Sequence, residues 1–170
     1  WDGLNVYNGA EFENYRSNRQ DSSSITNPVI RQIFEENKNI LWITTDYGIN
    51  RFNIATKKFQ PYYLGYKDKE TFREHSFLAT RNSEGLILAA SYKSGIYKFN
   101  TKSEDFGPFS IPEIDKNNII QLFFDSSDNL WIVNDKNEIF RLKIKSDKIT
   151  EKQKITPPAD FLHLCYDKKE

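Results

Sequence analysis

Two histidines, one cysteine, and a scatter of carboxylates and tyrosines are the residues through which this chain could do chemistry. His75 and His163 lie far apart and neither sits in a cluster of Cys, His or carboxylate, so the spacing offers no zinc site. Nothing around the serines resembles a nucleophile elbow, and two histidines give little scope for a Ser-His-Asp hydrolase. Asp125, Asp128 and Asn129 bring three oxygen-bearing side chains together but lack the alternating ligands of a calcium loop. They read as a β-turn braced by Asx hydrogen bonds. Cys165 lies in the apolar segment Phe161 to Tyr166, where a lone thiol behaves as a small hydrophobe. The expectation is therefore no metal, no cofactor and no catalytic residue. Tyrosines are the remaining candidates: Tyr47, Tyr62, Tyr63, Tyr66 and Tyr92 fall near strand ends or turns, and Arg51 and Arg73 lie in polar surroundings. Aromatic faces beside charged groups suit a saccharide, so Tyr47, Arg51, Tyr62, Tyr63, Tyr66 and Tyr92 are the predicted ligand-binding set.

Something must position those side chains, and composition narrows what. The 170 residues contain 24 Lys and Arg against 24 Asp and Glu, so no broad positive field exists to hold a nucleic acid. Hydrophobic residues make up 38% and mean hydropathy is −0.71, with no apolar run near the roughly 20 residues a membrane-crossing helix needs. Aromatic residues reach 15%, which favours half-buried β-pleats. One cysteine rules out a disulfide-stapled scaffold and leaves the redox compartment open. The chain begins Trp1-Asp2-Gly3, without a signal-peptide pattern and without any Met, and is expected to be a piece of a longer protein.

A motif recurs about every 45 residues. Its best copy is Leu41-Trp42-Ile43-Thr44-Thr45-Asp46-Tyr47-Gly48-Ile49-Asn50-Arg51-Phe52-Asn53. A second aligns Leu86-Ile87-Leu88 with Leu41-Trp42-Ile43 and ends Gly95-Ile96-Tyr97-Lys98-Phe99-Asn100. A third keeps Leu130-Trp131-Ile132 but has Glu138 in place of the turn glycine, and a truncated copy opens the chain as Trp1-Asp2-Gly3-Leu4-Asn5-Val6-Tyr7-Asn8. Each unit reads as four short antiparallel strands: an apolar segment such as Val29 to Phe34, the Leu-Trp-Ile strand, a strand after the glycine turn, and an outer strand such as Phe59 to Tyr63. Strand interiors apolar on both pleat faces are expected where small sheets stack on one another, and Trp42 and Trp131 are expected in that core. Four-stranded units repeated in this way predict a β-propeller, ahead of a β-sandwich, which lacks such self-similarity.

The Leu41 to Asn53 copy closely resembles the two-component regulator propeller repeat, whose usual form is Leu-Trp-Ile-Gly-Thr, two variable residues, then Gly-Leu-Asn-Arg-Phe or Tyr. Trp1 to Asn8 fits the second half of that pattern. The resemblance implies an extracytoplasmic sensor segment of a bacterial hybrid two-component histidine kinase/response regulator. It implies a periplasmic location within an inner-membrane-anchored receptor, an oligosaccharide ligand, and partners in neighbouring blades and a homodimer mate. A propeller enzyme acting on polysaccharide, as a lyase or glycosidase, and a protein-interaction propeller are the alternatives. The expected layout is a partial propeller over 1–170, part of a seven-bladed ring, with the end of one blade at 1–28, blades at 29–76, 77–117 and 118–160, and the first strand of another at 161–170. Such an open arc is expected to self-associate through its exposed strand edges.

Overall fold

The computed structural model describes residues 2–64, 77–91, 94–111, 114 and 119–157. Trp1, Tyr66, Arg73, His75, Tyr92, His163, Cys165 and the strand expected at 161–170 lie outside the described residues. The described chain is all β, with no α-helix, and no helix long and apolar enough to cross a membrane.

It forms two compact units, Trp1–Ala79 and Thr80–Glu170. The first opens with a hairpin of β1 (Leu4–Tyr7) and β2 (Phe12–Tyr15). A four-stranded meander follows, ordered β3 (Ile30–Asn37), β4 (Ile40–Thr45), β5 (Gly48–Asn53) and β6 (Lys58–Tyr62). A second meander is built from β7 (Phe77–Arg81), within which the unit boundary falls, β8 (Ile87–Ser91), β9 (Gly95–Asn100) and β10 (Asp105–Pro108). The third comprises β11 (Ile119–Phe124), β12 (Asn129–Asn134), β13 (Ile139–Lys145) and β14 (Lys148–Ile155). All recorded pairings are antiparallel. These are the blade-like sheets that the repeat predicts.

The turn between second and third strands starts from a buried polar residue in each sheet. The last residue of the second strand is Thr45, Ser91 or Asn134, polar and fully buried in all three sheets. Each satisfies its side chain on its own turn: Thr45 Oγ1 donates to Gly48 O at 3.0 Å, Ser91 Oγ to Ser94 Oγ at 2.6 Å, and Asn134 Oδ1 accepts from the Lys136 and Glu138 amides at 3.0 Å each. A buried polar group so satisfied carries little penalty, whereas an apolar replacement would leave turn amides unpaired. Gly48 closes the first turn with φ at 145°, in a region that side chains disfavour. In the third sheet, whose turn has the same length as the second's, Asn137 takes the positive φ, at 59°, so Glu138 fits where a glycine stands in the other two.

The first sheet is buried on both faces. Ile43, Phe52 and Phe59 cluster with Leu4 and Ile25, and Val6, Tyr15, Ile30 and Leu41 pack against them. Phe52 and Phe59 are directly opposed on β5 and β6 and stack at 4.4 Å, and the Tyr15 ring meets both edge-on. Burial and a hydrogen bond to Glu13 push the Tyr15 phenol up to about 12. The opposite face carries Trp42, 0% exposed, with Tyr62 against it. Trp131, by contrast, is half-buried, which corrects its expected place in the core. Its ring stacks on Phe123, but Ile155 stands where the first sheet has Tyr62, opposite the residue that follows the turn, and offers no aromatic cover.

Candidate functional site

The predicted binding residues of the first sheet separate into two groups. Arg51 and Tyr62 belong to the Trp42 face. Antiparallel register places Arg51 directly across from Trp42, and its guanidinium carbon lies 6.0 Å from the indole centroid. Arg51 grips Glu36 with Nε to Oε2 and Nη2 to Oε1, both at 2.9 Å, while Trp42 Nε1 donates to the same Glu36 Oε2 at 2.8 Å. A paired, two-pronged contact of this kind fixes geometry as well as adding energy. Tyr62 is 7% exposed, its ring 5.5 Å from that of Trp42. Both side chains are engaged in holding the sheet together.

Tyr47 and Tyr63 gather instead at the β4–β5 turn. Tyr47 is half-buried, its amide donating to Thr45 Oγ1 at 3.1 Å. The Tyr63 ring lies over Gly48, where an added Cβ would stand 3.2 Å from two ring carbons and 3.1 Å from Tyr62 O. Glycine is therefore needed both for its φ and for the room it leaves. Partial burial pushes the Tyr63 phenol up. Beside them Asp46 accepts from Arg31 through Nε at 2.6 Å and Nη2 at 3.1 Å, and that pairing raises the Arg31 guanidinium value further.

A buried polar network stiffens the floor under this end. Asn50 is fully buried, with Oδ1 accepting from Thr26 N at 3.0 Å and Nδ2 donating to Thr26 Oγ1 at 2.9 Å and Ile43 O at 3.3 Å. Thr26 Oγ1 in turn meets Thr45 Oγ1 at 2.9 Å. Fully satisfied networks of this sort favour one arrangement of the turn. Tyr47 and Tyr63, on a rigid base with the Asp46 carboxylate near, can offer a ring face and polar edges to a hydroxylated ligand.

One rule in the sequence went unread. The carboxylate that holds each indole lies six residues before it: Glu36 before Trp42, and Asp125 before Trp131, where Nε1 donates to Asp125 Oδ2 at 2.8 Å. Asp125 also accepts from the Ser127 and Asn129 amides at 2.9 Å, so the turn reading of this segment describes its geometry. Desolvation acts most strongly on Asp125 and raises its value, but the bonds from Trp131, Asn129 and Ser127 together outweigh it and leave the carboxyl lowered. Asp128 accepts from Ser83 through both its carboxylate oxygens. Among the described residues no group of His, Cys, Asp and Glu could hold a metal ion.

No known protein family matches the chain, and no curated protein does. Solved structures do. One described as the extracellular domain of a hybrid two component system from B. thetaiotaomicron is similar over 88% of this chain, with a TM-score of 0.62 and 23% identity. Another, described as the extracellular domain of a one component system from the same organism, is similar over 83% of the chain, with a TM-score of 0.57 and 17% identity. The chain spans 20% of the length of each. The likeness establishes the fold.

Proposed function

We propose that the chain is a ligand-sensing segment of an extracytoplasmic receptor, binding an oligosaccharide and controlling a histidine kinase elsewhere in the same hybrid two-component protein. The observation that carries this reading is the fold likeness to extracellular domains of such systems across 88% of the chain. The Gly48 to Phe52 motif supports it, since each of its residues has a defined part in the sheet. The segment is non-catalytic and periplasmic, and the Tyr47 and Tyr63 end of the first sheet touches the saccharide. Tyr66 and Tyr92 belong to the same proposal. Ligand shifts the receptor to the extent that it prefers one arrangement.

The test is a transcriptional reporter driven by the intact receptor in its host, challenged with purified oligosaccharides. One saccharide class should switch the reporter on, and Tyr47→Ala should raise the concentration needed without lowering receptor abundance. Release of reducing ends from polysaccharide by the purified segment, or a reporter indifferent to every saccharide, would overturn the reading.

A further inference from the structure

The second unit holds a cleft lined by none of Tyr47, Arg51, Tyr62 and Tyr63. It measures about 310 Å³ and lies between the β7–β8 and β9–β10 turns of one sheet and the β13–β14 turn of the next. Leu86, Phe99 and Ile144 supply its apolar wall, with Phe99 and Ile144 each 5% exposed. Lys98 and Asp147 form an ion pair across it.

The polar residue that makes this cleft a site is Asn82, 3% exposed and part of the lining. Its Oδ1 accepts from Leu86 N at 2.8 Å, but its Nδ2 has no partner among the described residues. That donor is not sealed from solvent, so it is free to donate to a molecule that enters the cleft. Around it Glu84, Thr101 and Ser146 add a carboxylate and two hydroxyls, none engaged among the described residues.

The lining determines the ligand chemistry. Asn82 offers a donor, Glu84 an acceptor, and the two hydroxyls either. Two carboxylates against one ammonium disfavour an anion, and a purely aliphatic ligand would strand the polar groups. A hydroxyl group donates and accepts at once and so meets both kinds of group. From this lining we infer that the cleft binds a neutral polyhydroxylated ring of about one pyranose, as a second saccharide subsite. This inference rests on the saccharide reading above but on different residues.

The probe is a set of neutral methyl pyranosides, observed by saturation-transfer NMR and titrated into the 170-residue chain. At least one should bind. Asn82→Asp keeps the acceptor for Leu86 N and removes the donor, and Asp125, which holds the same place in the third sheet, shows that the fold accepts an aspartate there. That variant should bind about tenfold more weakly with an unchanged melting midpoint. Glu84→Gln, on an exposed side chain, should weaken binding by a smaller factor. No binding of any pyranoside, or binding that Tyr47→Ala abolishes and Asn82→Asp leaves intact, would overturn the subsite. The second result would at the same time leave the tyrosine site standing.

Discussion

The first and third sheets carry the same tryptophan and the same carboxylate six residues before it, yet they use them differently. In the first, Glu36 reaches both the indole of Trp42 and the guanidinium of Arg51, joining β3, β4 and β5. In the third, Asp125 is one methylene shorter and binds its own turn as well as Trp131, while Arg141, directly across from that indole, is exposed. The longer acid ties three strands; the shorter one ties a turn to a strand. A repeat therefore preserves position more faithfully than it preserves bonding.

The largest test of that contrast is truncation of the two indoles. Trp42→Ala should destabilise the chain by about 3–5 kcal/mol, as expected for a fully buried large-to-small change. Trp131→Ala, at a half-buried site, should cost about 1–3 kcal/mol on the same scale. Urea midpoints at constant slope would measure both, and equal losses would show that the third sheet is as tightly closed as the first.

Removing the acids should give a smaller split. Glu36→Ala strands the Trp42 N–H and the Arg51 guanidinium together, at a cost of about 2–3 kcal/mol. Arg51→Ala in the Glu36→Ala background should then cost less than Arg51→Ala alone, because the ion pair is already gone and only its other contacts, that with the Trp42 indole among them, remain to be lost. The corresponding cycle between Asp125 and Arg141 should show no coupling.

Thr44 offers a gain. Its hydroxyl is buried without a hydrogen-bond partner among the described residues, and Ala90 and Val133 stand at the same distance before the turn in the other sheets. Thr44→Val should stabilise the first sheet by about 1 kcal/mol, since it removes an unmet polar group at nearly constant shape. A loss on thermal melting would mean that the hydroxyl is matched in solution.

The smallest effect is on pH dependence. Asp125 has its carboxyl lowered in the folded chain, so the stability it contributes is present above the ordinary aspartate value. That contribution is lost as pH falls from there through the lowered folded value. The stability difference between the wild-type chain and Asp125→Asn should therefore shrink over this acid window and stay flat above it. A difference that instead grew with acid would reverse the assignment.

Much of this architecture was legible in the sequence because strand spacing and turn glycines repeat with the period of the sheets. Register was harder. The sequence aligns Leu86-Ile87-Leu88 with Leu41-Trp42-Ile43, but counting back from the paired ends Thr45–Gly48 and Ser91–Gly95 places Leu88 opposite Trp42 in the repeat. Asn82 then falls six residues before it, where the other sheets have an acid. An indole N–H and its carboxylate are thus replaced together by an aliphatic side chain and an amide. That one-residue shift was hidden because Leu, Ile and Ala are interchangeable by hydropathy. Arg51 and Tyr62 show the same difficulty: only cross-strand pairing reveals that both lie on the Trp42 face, whereas the turn that carries Tyr47 is already marked by its sequence.

The proposed division between sheet-holding residues and a saccharide-facing turn is most directly tested by a heteronuclear NMR titration of the chain with the saccharide class that switches the reporter on. The Trp42 Nε1–H and Arg51 Nε–H signals should stay in place, because both donors are held by Glu36, while the amide signals of Tyr47, Gly48 and Tyr63 move with saturation. Movement of the Arg51 signal with a silent Tyr47 to Gly48 turn would contradict the account.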